Sequence, residues 1–172
     1  MKQVEESGMI FGPFPEEQFY HLERSSLYQN TGKQNGVCTV EFLLSRNERF
    51  LTFLEAKSSS PRPGGDRQER FQAFIHEIAA KFLHSFDLYL SAALGRHEDC
   101  ADLPDSFRGL DRSAVTFQFV LVIKGHKEEW LPPIRAALEQ VLRAHRRIWA
   151  SKVVVLNDTM ARKQALICGS GT

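Results

Sequence analysis

The spacing of apolar residues changes period several times along the chain, and each change marks an element. Val37 to Leu44 and Arg49 to Lys57 are rich in β-branched and aromatic residues, and Ser45-Arg46-Asn47-Glu48 closes them into a hairpin. Upstream, residues 9 to 28 mix aromatics with Gly12, Pro13 and Pro15, and the prolines exclude a helix interior before Glu16. From Gln18 onward, Phe19, His21 and Glu23 alternate with Tyr20, Leu22 and Arg24, which predicts a strand, with a short helix as the alternative. Asn30 to Gly36 is a polar turn cluster, and Ser58 to Gly65 (SSSPRPGG) is a flexible break. Asp66, with Glu69 three residues on, has the spacing of a capping box. A helix to Leu94 follows, with Phe71, Phe74, Ile75, Ile78, Phe82, Phe86, Tyr89 and Ala93 on one stripe and Gly95 as its stop.

After a polar loop from Arg96 to Arg112, Ala114 to Lys124 is a nearly unbroken apolar strand, the pattern of one covered on both faces. A second amphipathic helix, from about Glu128 or Pro132 to Trp149, turns Leu131, Ile134, Leu138, Val141, Leu142 and Ile148 inward. Lys152 to Leu156 reads as another buried strand, and the tail from Asn157 as a short helix or loop. Strand, hairpin, helix, strand, helix, strand is the order of an α/β domain with a mixed central sheet and flanking helices. A single domain over residues 1–172, with its core at about 16–157, accounts for the whole pattern.

Composition sharpens this picture in four ways. Thirteen phenylalanines imply a core built largely of aromatic rings. No apolar run approaches the roughly 20 residues that cross a bilayer, so no membrane partner is expected. Met1 to Gly8 lacks the apolar region of a signal peptide, and Cys38, Cys100 and Cys168 are too few and too scattered for a disulfide framework, so a reducing, cytoplasmic setting is expected. A net charge of +1 gives no basic excess, so any nucleic-acid surface must be a local patch. Oligomeric state leaves no mark in the sequence.

Chemistry concentrates in the hairpin, where Glu41, Glu55 and Lys57 stand at positions that strands usually fill with apolar residues. Alternation puts Glu55 and Lys57 on one face. Burying such groups is unfavourable unless they are paired or bind a cation. Two carboxylates hold a hard divalent ion such as Mg²⁺, and a lysine beside them orients a water and offsets charge on a phosphate. Register decides whether Glu41 joins them. If Ser45 pairs with Arg49 around a three-residue Arg46-Asn47-Glu48 loop, with Asn47 left-handed, Glu41 falls opposite Phe53 on the shared face. If Leu44 pairs with Arg49, Glu41 faces away unless a bulge intervenes.

An acidic residue on one strand, an acid-x-Lys ending the next and a long helix after it resemble the PD-(D/E)XK, restriction endonuclease-like, nuclease superfamily. The resemblance covers about residues 37 to 94 in detail. It implies a metal-dependent phosphodiesterase, an endonuclease-type hydrolase, acting on DNA or RNA with one or two Mg²⁺ (or Mn²⁺) ions. Glu41 and Glu55 would be metal ligands, Lys57 the water-orienting residue, and Glu23 an upstream acid completing the metal set. Gln68 or Gln72 would be the assisting polar residue on the helix. Two positions depart from the pattern: Val40 replaces the family's proline, and Glu41 its shorter aspartate. The competing readings are a nuclease-like fold without catalysis, serving as a binding or assembly module, and an unrelated α/β protein whose Glu41 and Lys57 pair across a solvated face. His76, His84, His97 and Cys100 match no compact zinc spacing. Arg143, Arg146 and Arg147 suit a helix C-terminus, with phosphate binding as the alternative.

Overall fold

A sheet that is apolar on both faces needs a covering layer on each, and this chain supplies two of different kinds. A computed structural model describes residues 1–168. Its strands are β1 (Lys2–Glu6), β2 (Met9–Phe14), β3 (Phe19–Tyr20), β4 (Phe42–Arg46), β5 (Phe50–Lys57), β6 (Thr116–Ile123) and β7 (Lys152–Asn157). The helices are α1 (Gln68–Ala93), α2 (Asp105–Arg108), α3 (Leu131–Val141), α4 (Arg143–Trp149) and α5 (Asp158–Lys163). Strands β3 to β7 form one five-stranded sheet in chain order. The β3–β4 and β4–β5 pairs are antiparallel, and the β5–β6 and β6–β7 pairs are parallel. The mixed sheet with flanking helices is therefore as expected.

Helices α1 and α3 cross over between the parallel strands and lie on one face, as two successive crossovers of one hand require. Leu43, Leu51, Phe53, Phe119, Leu121 and Val155 meet them there. The opposite face, with Phe42, Leu44, Leu54, Val120 and Leu156, is covered by Met9, Phe11 and Phe14 of the β1–β2 hairpin and by Ala161, Leu166 and Ile167. Buried side chains thus run from Met9 to Ile167, wider than the 16–157 expected. The hairpin was missed because β1 carries little apolar alternation. Its turn is Ser7-Gly8, both left-handed (φ 51° and 72°), between the paired Glu6 and Met9.

Helix α1 is unbroken, and its end is a Schellman motif: Gly95 (φ 63°) donates to Ala92 O at 3.0 Å and Arg96 to Ser91 O at 3.0 Å. Its start differs from expectation. A turn at Gly65–Arg67 precedes it, no side chain caps Arg67, and the Gln68 side chain accepts from the Gly64 N–H at 3.0 Å instead. Asp66 and Glu69 form no capping box.

Two further expectations change. The alternation from Gln18 to Arg24 yields only the two-residue β3 before the chain coils into a turn at Leu22–Arg24. The second helix breaks at Leu142 (φ −87°, ψ 9°) into α3 and α4. The break shifts the helical phase, so His145 and Trp149 pack on Phe86 at 4.5 and 4.8 Å, while Ile148 is 75% exposed and Val141 40%.

Candidate functional site

Register places the site. The hairpin loop spans three residues but sits one position later than expected: Arg46 pairs with Phe50, and Asn47 and Glu48 are both left-handed (φ 52° and 55°). Leu43 then pairs with Phe53 and Phe42 with Leu54. The Glu41 N–H also donates to the Leu54 carbonyl, at 3.1 Å, so Glu41 and Phe42 both face Leu54 in the manner of a bulge. Strand β4 starts only at Phe42, and residues 37 to 41 run as irregular chain beneath α1. There the Val40 N–H donates to Ser85 Oγ at 2.9 Å, and the Cys38 N–H to His84 Nδ1 at 3.1 Å.

Glu55 is the centre of the arrangement. It is 0% exposed, on the α1 face of β5, with Leu121 of β6 as its neighbour. Its Oε1 accepts from Lys81 Nζ at 2.6 Å and stands 3.4 Å from Lys57 Nζ. Its Oε2 is buried and has no hydrogen-bond partner. Burial pushes the Glu55 carboxyl up, against the pull of the two lysines. Lys57 also bonds Glu77 Oε1 at 2.8 Å. Burial alone would lower the Lys57 ammonium, but Glu77 and Glu55 outweigh it and hold it above its ordinary value. Lys57 therefore pairs within its own face rather than with Glu41, and Glu55 is not on a solvated surface.

Glu41 lies near enough to the same cluster for its carboxyl to feel the charges there. Burial, then repulsion from Glu55, Glu6 and Glu23, pushes it up to about 8 against the attraction of Lys81. Burial likewise raises the Glu6 carboxyl, against the opposing influence of Glu41 beside it. Glu6 comes from β1 and also lies 3.8 Å from His21 Nε2.

Glu55 and Lys57 thus lie together with Lys81 and Glu77, and Glu41 and Glu6 reach that cluster through their charges. Lys81 and Glu77 left one legible sign: with Ser85 they repeat every four residues along an otherwise apolar edge of α1. Glu6 left none. Glu23 stands apart from the buried cluster. It is exposed on the turn after β3 and acts on Glu41 only through its charge. Among the described residues no three His, Cys, Asp or Glu side chains converge as a ready metal cage. The donor set still fits a hard cation, because Glu55 Oε2 is a buried acceptor without a donor and Glu41 adds an oxygen donor within electrostatic reach of Glu55.

Of the other residues considered, Gln68 is engaged with Gly64 and Gln72 is exposed. His84 Nδ1 lies 3.3 Å from Cys38 Sγ, a thiol that burial pushes up and keeps protonated. Cys100 is buried in the core, apart from any zinc-like cluster.

No protein-family model matches the chain. Searches of the curated proteins and of the solved structures likewise give no match.

Proposed function

We propose that the chain is a metal-dependent phosphodiesterase of restriction endonuclease-like fold, acting on DNA or RNA, in which Glu41 and Glu55 take Mg²⁺ or Mn²⁺ and Lys57 orients water. Glu55 carries the reading: wholly buried, held on one oxygen by lysines and left bare on the other. Removing a carboxylate from water destabilises the fold by several kcal/mol or so, and a cation-binding role explains why the sequence keeps it. The order of β4, β5 and α1, with the acid-x-Lys at the end of β5, also supports the resemblance. A two-carboxylate site suits Mg²⁺, which keeps several of its own waters.

When bound, such an ion polarises a phosphodiester and acidifies a water. The chain's own groups do the positioning. Lys81 anchors Glu55 Oε1 and leaves Oε2 without a hydrogen-bond partner. Lys57, the outermost of the cluster's two lysines, is steadied by Glu77 with donors to spare for water or phosphate.

Incubation of plasmid DNA, single-stranded DNA and RNA with Mg²⁺ or Mn²⁺ tests this. Wild type cleaves at least one substrate, EDTA stops it, and Glu55→Gln or Lys57→Ala lowers the rate by about 100-fold or more. Undiminished cleavage by Glu55→Gln overturns the assignment.

A second reading, the nuclease-like fold as a non-catalytic binding or assembly module, is favoured by one observation. Lys81, at 2.6 Å, already supplies Glu55 with a countercharge. Lys81→Met separates the two. Mn²⁺ restores part of the lost stability if the site takes a cation, and restores none if Lys81 is its permanent partner.

A further inference from the structure

The carboxyl ends of β5, β6 and β7 carry a second built feature. The chain leaving Lys57 runs as Ser58-Ser59-Ser60-Pro61-Arg62-Pro63 and returns against the segment that leaves β6. Ser60 Oγ lies 2.7 Å from His126 Nε2, and the His126 carbonyl accepts from Asn157 Nδ2 at 2.9 Å, so the loop is tied to β7 as well as to β6. Between the two segments is a cleft of about 210 Å³ whose lining includes Trp130, Pro61, Pro63 and Pro133. The Arg62 guanidinium stacks 3.7 Å from the Trp130 ring centroid, and Lys127 Nζ is 5.4 Å from it. His126 meets the ring edge-on, with centroids 5.4 Å apart. One acid, Glu129, lines the cleft.

Volume limits the ligand. Pockets for ordinary small molecules run from about 300 Å³ upward, so this cleft admits one planar ring and little more. Trp130 is half-buried and Arg62 is exposed, which leaves the outer face of the guanidinium open for stacking. Bases stack on aromatic rings and on arginine planes when they are unpaired, and a paired base inside a duplex presents no free face. Arg62 and Lys127 add positive charge for the neighbouring phosphates. Only two residues separate Lys57 from Ser60, so the cleft and the Glu55–Lys57 site share one end of the sheet.

We propose that the Trp130–Arg62 cleft binds an unpaired nucleobase of a nucleic-acid strand and gives the proposed phosphodiesterase a preference for single-stranded or frayed substrates. This rests on the phosphodiesterase reading for its purpose, though not for the binding itself.

Trp130 and Trp149 are the only tryptophans, so a Trp149→Phe protein reports on Trp130 alone. Titrated in EDTA with a short oligothymidylate, its fluorescence is quenched, and a blunt duplex of equal length quenches it far less. Read by the anisotropy of a labelled oligonucleotide, Arg62→Ala, an exposed substitution that leaves folding intact, and Trp130→Leu each weaken single-strand binding by about tenfold, with duplex binding changed by less than about twofold. Absence of quenching, or equal loss on both nucleic acids, overturns the proposal. An Mn²⁺-dependent melting shift without quenching rejects the cleft and leaves the phosphodiesterase standing. Quenching without any metal response supports the cleft and removes the phosphodiesterase.

Discussion

A carboxyl group crowded by three others while half withdrawn from water is held for a reason other than stability, and Glu41 is such a group. Its carboxyl is raised to about 8 in the folded chain, by burial first and then by Glu55, Glu6 and Glu23, against 4.5 when free of them. A raised value means that the folded state binds the proton more tightly. Its contribution to stability is therefore full below about pH 4.5 and lost as pH rises through 8. Glu41→Gln removes the dependence. In the absence of divalent ions the variant should gain in Tm relative to wild type between pH 5 and pH 9, and a difference that is flat with pH contradicts the assignment. Glu41, Glu55 and Lys57 were legible because ionisable residues at strand positions stand out against apolar neighbours. Glu6 was not, and Lys81 showed only as part of a polar repeat along α1, because what defines its role is Glu55, 26 positions away. The register was misjudged by a slip in the loop, because Glu48, a residue with no preference for it, adopts φ 55° beside Asn47.

At the scale of elements, periodicity and terminal signals were reliable where packing repeats. Helix α1 follows its apolar stripe, and Phe82, 0% exposed and stacked on Phe119 at 4.9 Å, sits in the middle of the face laid on β5 and β6. Phe82→Ala should lower stability by about 3–5 kcal/mol. In urea the midpoint should fall with the slope unchanged, and a loss under about 1 kcal/mol would mean that α1 does not pack as described. Elements without a repeat were harder to see. The β1–β2 hairpin has one exposed, mostly charged strand, and only its Ser-Gly turn gave a local sign. The break between α3 and α4 has neither Gly nor Pro at Leu142. It arises from tertiary packing, which brings His145 and Trp149 onto Phe86.

Across the whole molecule, parallel pairing brings the carboxyl ends of β5, β6 and β7 to one end, where ligands of open α/β sheets are usually held. Glu55, Lys57 and the Trp130 cleft all belong to that end. The other large concavity, about 810 Å³, lies at the opposite end beside Asn47, Glu48 and Asp111 and has no part in the account. Among the described residues no helix is long and apolar enough to cross a membrane. The net charge of +1 makes long-range steering of a polyanion weak, so recognition must be local. Most directly, the central claim is tested by melting the wild-type protein with and without millimolar Mn²⁺. At tenfold excess over Kd, binding to the native state adds about 1.4 kcal/mol, or roughly 3–6 °C for a chain of this size. Wild type should show that shift, and both Glu55→Gln and Glu41→Gln should lose it. A wild type that does not respond, or a Glu55→Gln protein that responds equally, contradicts it.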